Sequence, residues 1–248
     1  MEGVIDIRGL ALAFERDGRR TEVLRGLDLS IERGAFVAIV GASGVGKSTL
    51  LRVLIGLAQA SAGAVSVTTR SASRQPVALV FQDARLLPWR RVVDNVAFGL
   101  EGGGLGRAER RARALEALRI VGLADLAQRW PHQLSGGQRQ RVALARALAV
   151  GPEVLLMDEP FSALDALSRE ALQDELLRIW RETGTTILFV THDIDEATYL
   201  ADRIVVLGGA PGRAVADYAV TEPRPRRRTA PSGGDNVVSN IRRHLGAA

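Results

Sequence analysis

The 248-residue chain contains no cysteine, a single lysine and few aromatic residues, which make up 4% of it. Without cysteine it can form neither disulfides nor thiolate zinc sites, and a cysteine nucleophile is excluded. Long hydrophobic runs are missing too: residues 35–42, one of the longest, fall well short of the roughly 20 apolar residues that span a bilayer. The first ten residues carry two acids before their first arginine and lack the apolar core of a signal peptide. We therefore expect a chain that neither crosses a membrane by itself nor is exported.

Positive charge is concentrated at the C-terminal end. The formal net charge is +5, as in many nucleic-acid-binding proteins, but residues 221–248 hold six arginines against two acids and account for four of the five net charges. The nearly neutral body has no net field to steer a polyanion, so we expect no nucleic-acid partner. Residues 221–248 are predicted to be a basic tail rich in proline and arginine. It should be irregular over 221–234 and solvated, with contact to anionic lipid or to a membrane protein as the alternative.

Short apolar, β-branched runs alternate with stretches of helical periodicity. Runs of this kind are typical of buried strands in a largely parallel sheet, and they lie at residues 35–40, 77–81, 154–157, 185–190 and 203–207. Helical spacing is found at residues 47–57, 107–120, 138–150 and 168–181. Alternating strands and helices predict an α/β fold. Because residues 86–149 contain no comparable apolar run, we expect a helical insertion there.

The only lysine, Lys47, lies in a glycine-rich segment between a predicted strand and a predicted helix. All other basic residues are arginine, which indicates that a compact ammonium is required at this position. Residues 41–48, GASGVGKS, fit the pattern G-x-x-x-x-G-K-[ST] in the context that the pattern needs. In such a loop, backbone N–H groups surround phosphates, the lysine reaches the β- and γ-phosphates, and the hydroxyl of Ser48 faces Mg²⁺. The sequence therefore predicts nucleotide binding.

Two acids follow the predicted strand at residues 154–157. Adjacent side chains at a strand end point in different directions, so Asp158 can reach Mg²⁺ through its water shell while Glu159 acts as a base toward an attacking water. An isolated Asp-Glu pair after a strand is more often only solvated. The phosphate loop upstream is what favours the functional interpretation.

A pair of adjacent glycines precedes the predicted helix at 138–150. Ser135, Gly136, Gly137 and Gln138 combine a hydroxyl, a flexible backbone and the positive end of a helix. These features predict a second anion site. A loop with a helix-capping serine is the alternative interpretation.

Six short motifs occur in the order typical of the nucleotide-binding subunits of ABC transporters, and the chain resembles that family over roughly residues 4–207. The motifs are GASGVGKST, VFQD with Gln82, LSGGQ, LLMDEP, SALD and VTHD with His192. The resemblance implies the ABC ATPase variant of the α/β P-loop NTPase fold: a mostly parallel sheet core, an N-terminal antiparallel β part and a helical subdomain. We place one nucleotide-binding domain at 1–220, with the helical subdomain at about 86–149 and the tail at 221–248.

The resemblance further implies an ATPase of the translocase class that works as a head-to-tail homodimer. The phosphate loop of one copy and LSGGQ of the other would enclose each ATP. Gln82 would sense metal and water, His192 would contact the γ-phosphate, and Asp165 would communicate across the dimer. Phe14 stands where the family stacks an aromatic residue on adenine, and a core phenylalanine is the alternative. Predicted catalytic residues are Lys47, Gln82, Glu159 and His192; predicted Mg²⁺ ligands are Ser48, Gln82 and Asp158; predicted ATP-binding residues are Phe14, Gly41, Ala42, Ser43, Gly44, Val45, Gly46, Lys47, Ser48, Thr49, Ser135, Gly136, Gly137 and Gln138.

Three segments resemble the nitrate, taurine and aliphatic-sulfonate branch of bacterial importers, most closely the sulfonate proteins: FQDARLLPW at 81–89, LGGAPGR at 207–213 and PRPRRR at 223–228. This resemblance implies uptake of a small anion, with an aliphatic sulfonate first and taurine or nitrate next. Two transmembrane permease subunits would be direct partners and an extracytoplasmic solute-binding protein an indirect one. The chain would be peripheral, on the cytoplasmic face of the bacterial inner membrane. Apolar residues 86–89 suit docking of a permease helix, or else pack on the helical insertion.

Two other classes are weighed against a transporter subunit. A soluble ABC ATPase acting on nucleic acid or ribosomes would carry a long coiled-coil insertion or a second cassette, and this chain has neither. The near-neutral body also argues against extensive phosphate contacts. A small-molecule kinase with a phosphate loop would have no use for LSGGQ.

Overall fold

The computed structural model describes residues 3–16, 18–70, 75–228 and 237–246. The chain divides into two compact units, one made of residues 1–69 and 186–248 and the other of residues 70–185. Strands of the first unit are β1 (Gly3–Arg16), β2 (Arg19–Glu32), β3 (Phe36–Gly41), β4 (Ala62–Val67), β7 (Thr186–Thr191), β8 (Arg203–Gly208) and β9 (Arg213–Ala219). Its helices are α1 (Lys47–Leu54), α6 (Ile194–Leu200) and α7 (Val237–Gly246).

The described residues of the second unit form two strands, four α-helices and two short 3-10 helices at Ala124–Leu126 and Pro131–Gln133. The strands are β5 (Val77–Val80) and β6 (Val154–Asp158), which pair in parallel. The helices are α2 (Val92–Phe98), α3 (Arg107–Ile120), α4 (Gly136–Ala149) and α5 (Ala166–Thr183). All five strands and all four helices expected from the sequence are present, with ends shifted by up to three residues. In addition, no helix of the described residues is long and apolar enough to cross a membrane.

The first unit contains two sheets. The antiparallel sheet has the order β2-β1-β4, which confirms the expected N-terminal antiparallel part. The other runs β7-β3-β8-β9, with β7, β3 and β8 parallel and β9 antiparallel to β8. Strands β3 and β7 are buried along their whole length, because parallel strands covered on both faces need continuous apolar sequence. Strand β9 is exposed at every second residue and has no such run, so the apolar pattern did not predict it.

The helical stretch of the second unit follows from small and apolar residues at helical spacing. Helices α2, α3 and α4 pack against one another, and α3 buries Ala114, Ala117 and Leu118. No strand occurs in residues 86–149, all of which the structure describes, so the expected absence of strands there is confirmed. The sequence analysis did not identify α2, whose seven residues are too few for a periodic pattern.

The C-terminal tail departs from its expected state. Residues 221–228 contain no helix or strand, as predicted, and residues 229–236 lie outside the described part of the chain. The prediction that the tail is solvated is wrong at two places. Helix α7 buries Val238 and Ile241 against its own unit, and the side chain of Arg226 is only 7% exposed. Apolar residues spaced three apart in 237–241 were the available signal for the helix.

Candidate nucleotide site

The phosphate loop connects the end of β3 to the start of α1, and two of its glycines are required by contact. A Cβ atom on Gly41 would lie 2.7 Å from the carbonyl oxygen of Leu207. Gly46 has a φ of +106°, and a Cβ atom there would lie 2.7 Å from Cδ2 of Leu24. Both positions therefore admit only glycine. The backbone can turn here tightly enough to aim its N–H groups at a bound phosphate.

Lys47 is held by the loop that it follows. Its side chain is 4% exposed, and Nζ donates hydrogen bonds to the carbonyl oxygens of Gly41 (2.8 Å) and Ala42 (3.0 Å). Ser48 and Thr49 come next in the first helical turn and are half-buried, whereas Ala42, Ser43 and Gly44 are exposed. An ammonium fixed at a helix N-terminus beside an exposed loop is chemically suited to a polyphosphate. The residues present thus fit a magnesium-bound nucleoside triphosphate.

A glycine outside the motif supports the phosphate loop. Gly212 donates to the carbonyl oxygen of Val23 (2.9 Å) and accepts from the N–H of Arg25 (3.0 Å). A Cβ atom on Gly212 would lie only 2.0 Å from the carbonyl oxygen of Val45, in the middle of the loop. The segment LGGAPGR resembles that of the importer branch, and its role at the phosphate loop was not predicted. Its signal is a glycine in the turn that follows the apolar strand at 203–207.

His192 follows β7 directly and is exposed, in the same unit as the phosphate loop. Its neighbours are fixed: the hydroxyl of Thr191 donates to the carboxylate of Glu196 (2.8 Å) and accepts from the N–H of Asp193 (3.0 Å). Asp193 also caps α6 by accepting from the N–H groups of Asp195 (2.9 Å) and Glu196. The backbone that carries His192 is therefore anchored on both sides.

Phe14 lies on β1 opposite Thr21, and its side chain is 47% exposed. The alternative interpretation as a core phenylalanine is therefore wrong. Its stacking on adenine stays a prediction that this exposure permits.

In the second unit, hydrogen bonds join two predicted site residues. Gln82 donates from Nε2 to the hydroxyl of Ser162 (3.3 Å), and that hydroxyl donates to the carbonyl oxygen of Glu159 (2.9 Å). Glu159 follows Asp158, the last residue of β6, and has a φ of +43°. A non-glycine residue rarely adopts this left-handed conformation, and such strain is concentrated at functional sites.

The LSGGQ segment forms the N-terminus of α4. The N–H of Gln138 donates to the hydroxyl of Ser135 (3.2 Å), and the side-chain oxygen of Gln138 accepts from the N–H of Ser135 (3.0 Å). This reciprocal pair is a capping box, so the capping interpretation of Ser135 is correct, while the second anion site stays a prediction. Gly137 is buried: a Cβ atom there would lie 3.1 Å from the side chain of Ser168 on α5.

The SALD segment ends at the start of α5. Asp165 caps this helix by accepting from the N–H of Ser168 (3.0 Å). The hydrogen bond from Ser168 lowers the pKa of the Asp165 carboxyl, because it stabilises the charged form. Its predicted part in communication across a dimer is not tested by this local role.

Helix α4 also holds the segment that follows Gln82. Arg146 donates to the carbonyl oxygens of Ala84 (2.8 Å) and Arg85 (2.9 Å). Farther along, Asn95 is fully buried and accepts from the N–H of Leu87 (2.7 Å). The Asn95 amide donates to the carbonyl oxygens of Leu87, Arg90 and Arg91. These bonds fix the backbone of residues 87–91 while the side chain of Trp89 is 71% exposed. An apolar ring is thus presented on a rigid segment.

The α/β fold and the phosphate loop at residues 41–48 together define a nucleoside triphosphatase of the P-loop class. Residues 24–162 match the ABC transporter family, and the chain belongs to that family. It is 53% identical to an aliphatic sulfonates import ATP-binding protein of Pseudomonas entomophila, over 90% of this chain and 81% of that protein. It is 48% identical to a taurine import ATP-binding protein of Pseudomonas aeruginosa, over 83% of this chain and 79% of that protein. The resemblance stated from the motifs is confirmed.

Solved structures give the same class. A dimeric ATP-binding cassette in a post-hydrolysis state, bound to ADP and Pi, matches 88% of this chain and 99% of its own with a TM-score of 0.76 and 32% identity. The cbiO1 cassette of a Clostridium perfringens transporter complex covers 89% of this chain and 90% of its own, with a TM-score of 0.77 and 31% identity. The expected ABC ATPase fold is confirmed.

Proposed function

We propose that this chain is the ATP-hydrolysing subunit of an importer for a small anion, with an aliphatic sulfonate as the first candidate. The observation that carries the proposal is the phosphate loop with buried Lys47, in a chain about half identical to import ATP-binding proteins. Those relatives act on aliphatic sulfonates or, in one case, taurine, which share a sulfonate group. Nitrate is a weaker candidate because neither of these two relatives is named as a nitrate importer.

The nucleotide would bind at the phosphate loop of the first unit, residues 41–48. Backbone N–H groups of residues 41–46 and the ammonium of Lys47 hold the phosphates, and exposed Phe14 offers a ring face for adenine. Bound Mg²⁺ would neutralise charge on the β- and γ-phosphates, held by Ser48 and, through its water shell, by Asp158, with Gln82 near the metal. Glu159 accepts a proton from the attacking water, and His192 contacts the γ-phosphate.

Each ATP would be enclosed by two copies of the chain. The capped N-terminus of α4, with Ser135, Gly136 and Gly137, presents backbone N–H groups and the positive end of a helix to the γ-phosphate of the partner copy's nucleotide. The solved cassette that matches this chain is itself dimeric. Asp165, at the exposed start of α5, would link the two copies.

The permease would dock on the second unit. Trp89 lines a concavity of about 400 Å³ together with Trp130 and the arginines of α3, Arg107, Arg110 and Arg111. The rigid backbone at 87–91 limits the entropy lost on docking, and an exposed tryptophan beside arginines is typical of interface anchors. Docking to two permease subunits would hold the chain at the cytoplasmic face of the inner membrane, with a solute-binding protein acting through the permease. The nucleotide-binding domain would span 1–220 and include the helical subdomain at about 86–149.

Uptake in cells tests this proposal. The chain is expressed together with the permease and binding protein of a sulfonate importer, in a strain that lacks its own sulfonate importers. Accumulation of labelled taurine or an alkanesulfonate is expected with the native chain and not with the K47A variant. A chain that stays off membranes in low salt, co-purifies with nucleic acid and supports no uptake would instead identify a soluble, non-transport ATPase.

A further inference from the structure

The segment that follows β9 packs its arginines in alternation against α6. The side chains of Arg224, Arg226 and Arg228 contact the helix or the residues just after it, whereas Arg227 between them is exposed. Residues 224, 226 and 228 are the inner positions of this irregular segment, whereas residues 225 and 227 are exposed. The basic sequence therefore has an inner and an outer face.

Arg226 caps the C-terminus of α6. Its Nη1 donates to the carbonyl oxygens of Thr198 (3.2 Å) and Ala201 (2.5 Å). Its Nη2 donates to the carboxylate of Asp202 (2.9 Å), and Nε donates to the carbonyl oxygen of Glu222 (2.8 Å). Carbonyl groups in the last turn of a helix have no partner within the helix, so a planar guanidinium can satisfy several of them at once.

Arg224 reinforces the same cap. It donates to the carbonyl oxygen of Leu200 and to the carboxylate of Asp202, so one acid pairs with two guanidinium groups. The partial negative charge at the C-terminus of α6 balances the second positive charge. Burial lowers the pKa of Arg226, with the charge of Arg224 as the next cause. The arginines are thus held by internal acceptors and are not a free patch for lipid or nucleic acid.

The opposite end of the same helix adjoins His192. Helix α6 has seven residues, which is about 10 Å of length, and Asp193 caps its N-terminus. So short a helix transmits a displacement of one end to the other. His192 lies between Thr191, at the end of a buried strand, and this capped helix.

We propose that Arg226 and Arg224 are positioning residues for His192: by fixing the C-terminus of α6 they set where the imidazole lies relative to the phosphate loop. The inference rests on the proposed function, in which His192 contacts the γ-phosphate. It gives the basic segment 224–228 a role in ATP hydrolysis that does not involve contact with nucleotide. Arg228 contributes by lying over the ring of Tyr199 on α6, 4.3 Å from its centroid.

Kinetics of the full-length chain test the inference first. R226A, R224A and R226K are compared with R227A, which removes the same charge from the exposed face of the segment. We expect R226A to lower kcat by about 10- to 100-fold, the cost of misplacing a catalytic group by about 1 Å, while nucleotide affinity is unchanged. R226K should recover part of the loss, since one ammonium can reach fewer carbonyls. R227A should behave as the native chain.

Histidine signals provide a readout that a purely structural role would leave unmoved. The chain has three histidines, His132, His192 and His244, so a spectrum with labelled imidazoles is simple to assign. The His192 signal is identified by its loss in H192A. R226A and R224A should shift it, whereas R227A should not. His132 lies in the other unit and serves as the internal reference.

A double variant tests whether the effect of R226A on hydrolysis depends on His192. If Arg226 acts through His192, R226A should cost nothing further in the H192A background. The inference is overturned if folded R226A keeps native kcat, if the His192 signal does not move, or if the two losses add. Should R226A fail to fold, R224A and R226K carry the same comparison, because each keeps part of the cap. Native hydrolysis by H192A would contradict the proposed role of His192, while the spectra would still report whether Arg226 positions it.

Discussion

The side-chain amide of Gln140 donates a hydrogen bond to the carbonyl oxygen of Phe81 (3.1 Å), which ties helix α4 to the residue before Gln82. Arg146, two turns along the same helix, holds the carbonyls of Ala84 and Arg85. The helix that begins with LSGGQ therefore also supports the segment that carries Gln82 and leads to Trp89. Within this unit a displacement of the segment by a docked permease would reach helix α4 directly.

Glu159→Gln should stabilise the ATP-bound dimer. The substitution removes the proposed base and keeps shape and hydrogen bonding, so ATP binds but is not hydrolysed. Size-exclusion chromatography in ATP should show a dimer for this variant and mostly monomer for the native chain. A monomer under saturating ATP, with binding confirmed, would contradict the proposed enclosure of ATP by two copies.

Lys47 should be protected by Mg-ATP from amine-reactive reagents. It is the only side-chain amine in the chain, so a reagent can modify only Lys47 and the N-terminal amine, which mass spectrometry separates. Bound nucleotide should slow labelling of Lys47 and leave the N-terminus as the internal control. Hydrolysis should fall in proportion to labelling at Lys47 alone.

Lys47→Arg should abolish hydrolysis nearly as fully as Lys47→Ala. The loop binds a compact ammonium at 2.8 Å and 3.0 Å from two carbonyl oxygens, and a planar guanidinium is too wide for that position. Steady-state ATPase rates of the two variants make the comparison. Full activity of the arginine variant would remove the argument drawn from the single lysine.

Gly46→Ala should weaken nucleotide binding and destabilise the fold. An alanine at a φ of +106° is strained by about 1–2 kcal/mol, and its Cβ would also displace Leu24. Calorimetric ATP binding and urea unfolding measure the two effects. Gly106→Ala is the matched control, because Gly106 has a φ of −63° and open space at the Cβ position. Equal behaviour of the two variants would be evidence against the steric argument.

Trp89→Ala should leave the isolated subunit stable and active but weaken assembly with the permease. The ring is 71% exposed, so its loss should change the free energy of unfolding by no more than about 0.5 kcal/mol. Leu87→Asp, at a half-buried position, should impair assembly more strongly because it adds a charge at the contact. Co-purification from detergent-solubilised membranes measures assembly. Unfolding of the subunit by Trp89→Ala would place the ring in the core and end the docking proposal.

Asn95→Ala should destabilise the second unit by on the order of 2–3 kcal/mol, because the N–H of Leu87 and the carbonyl oxygen of Arg90 lose their side-chain partner. It should also weaken permease assembly through the loosened 87–91 segment while ATP affinity is kept. Urea unfolding measures the loss of stability, and co-purification measures assembly with the permease. Asn95→Asp keeps the acceptor for Leu87 and loses the donors, so its cost separates the two sets of bonds.

Much of the molecule was predictable from local patterns. Residues 36–41 and 186–191 form strands because a parallel strand covered on both faces must be apolar along its length, a property visible in any short window of sequence. The glycines and Lys47 of the phosphate loop were equally predictable, since phosphate binding requires them at fixed spacing. Helix α3 was also predictable from its helical periodicity, and its predicted and observed limits coincide at residues 107 and 120.

Other features depended on contacts between residues far apart in the chain. Arg226 looked like part of a solvated basic tail, because burying a guanidinium is costly unless acceptors are supplied, and those acceptors lie some 25 residues earlier. Gly212 supports Val45 across more than 160 positions, a distance over which no sequence pattern extends. Sequence by itself thus determined the family, the buried strands of the parallel sheet and the phosphate loop, all of which local spacing encodes. Tertiary structure alone decided which arginines of the tail are internal caps and which glycine supports the loop, because both depend on the partner that folding brings near.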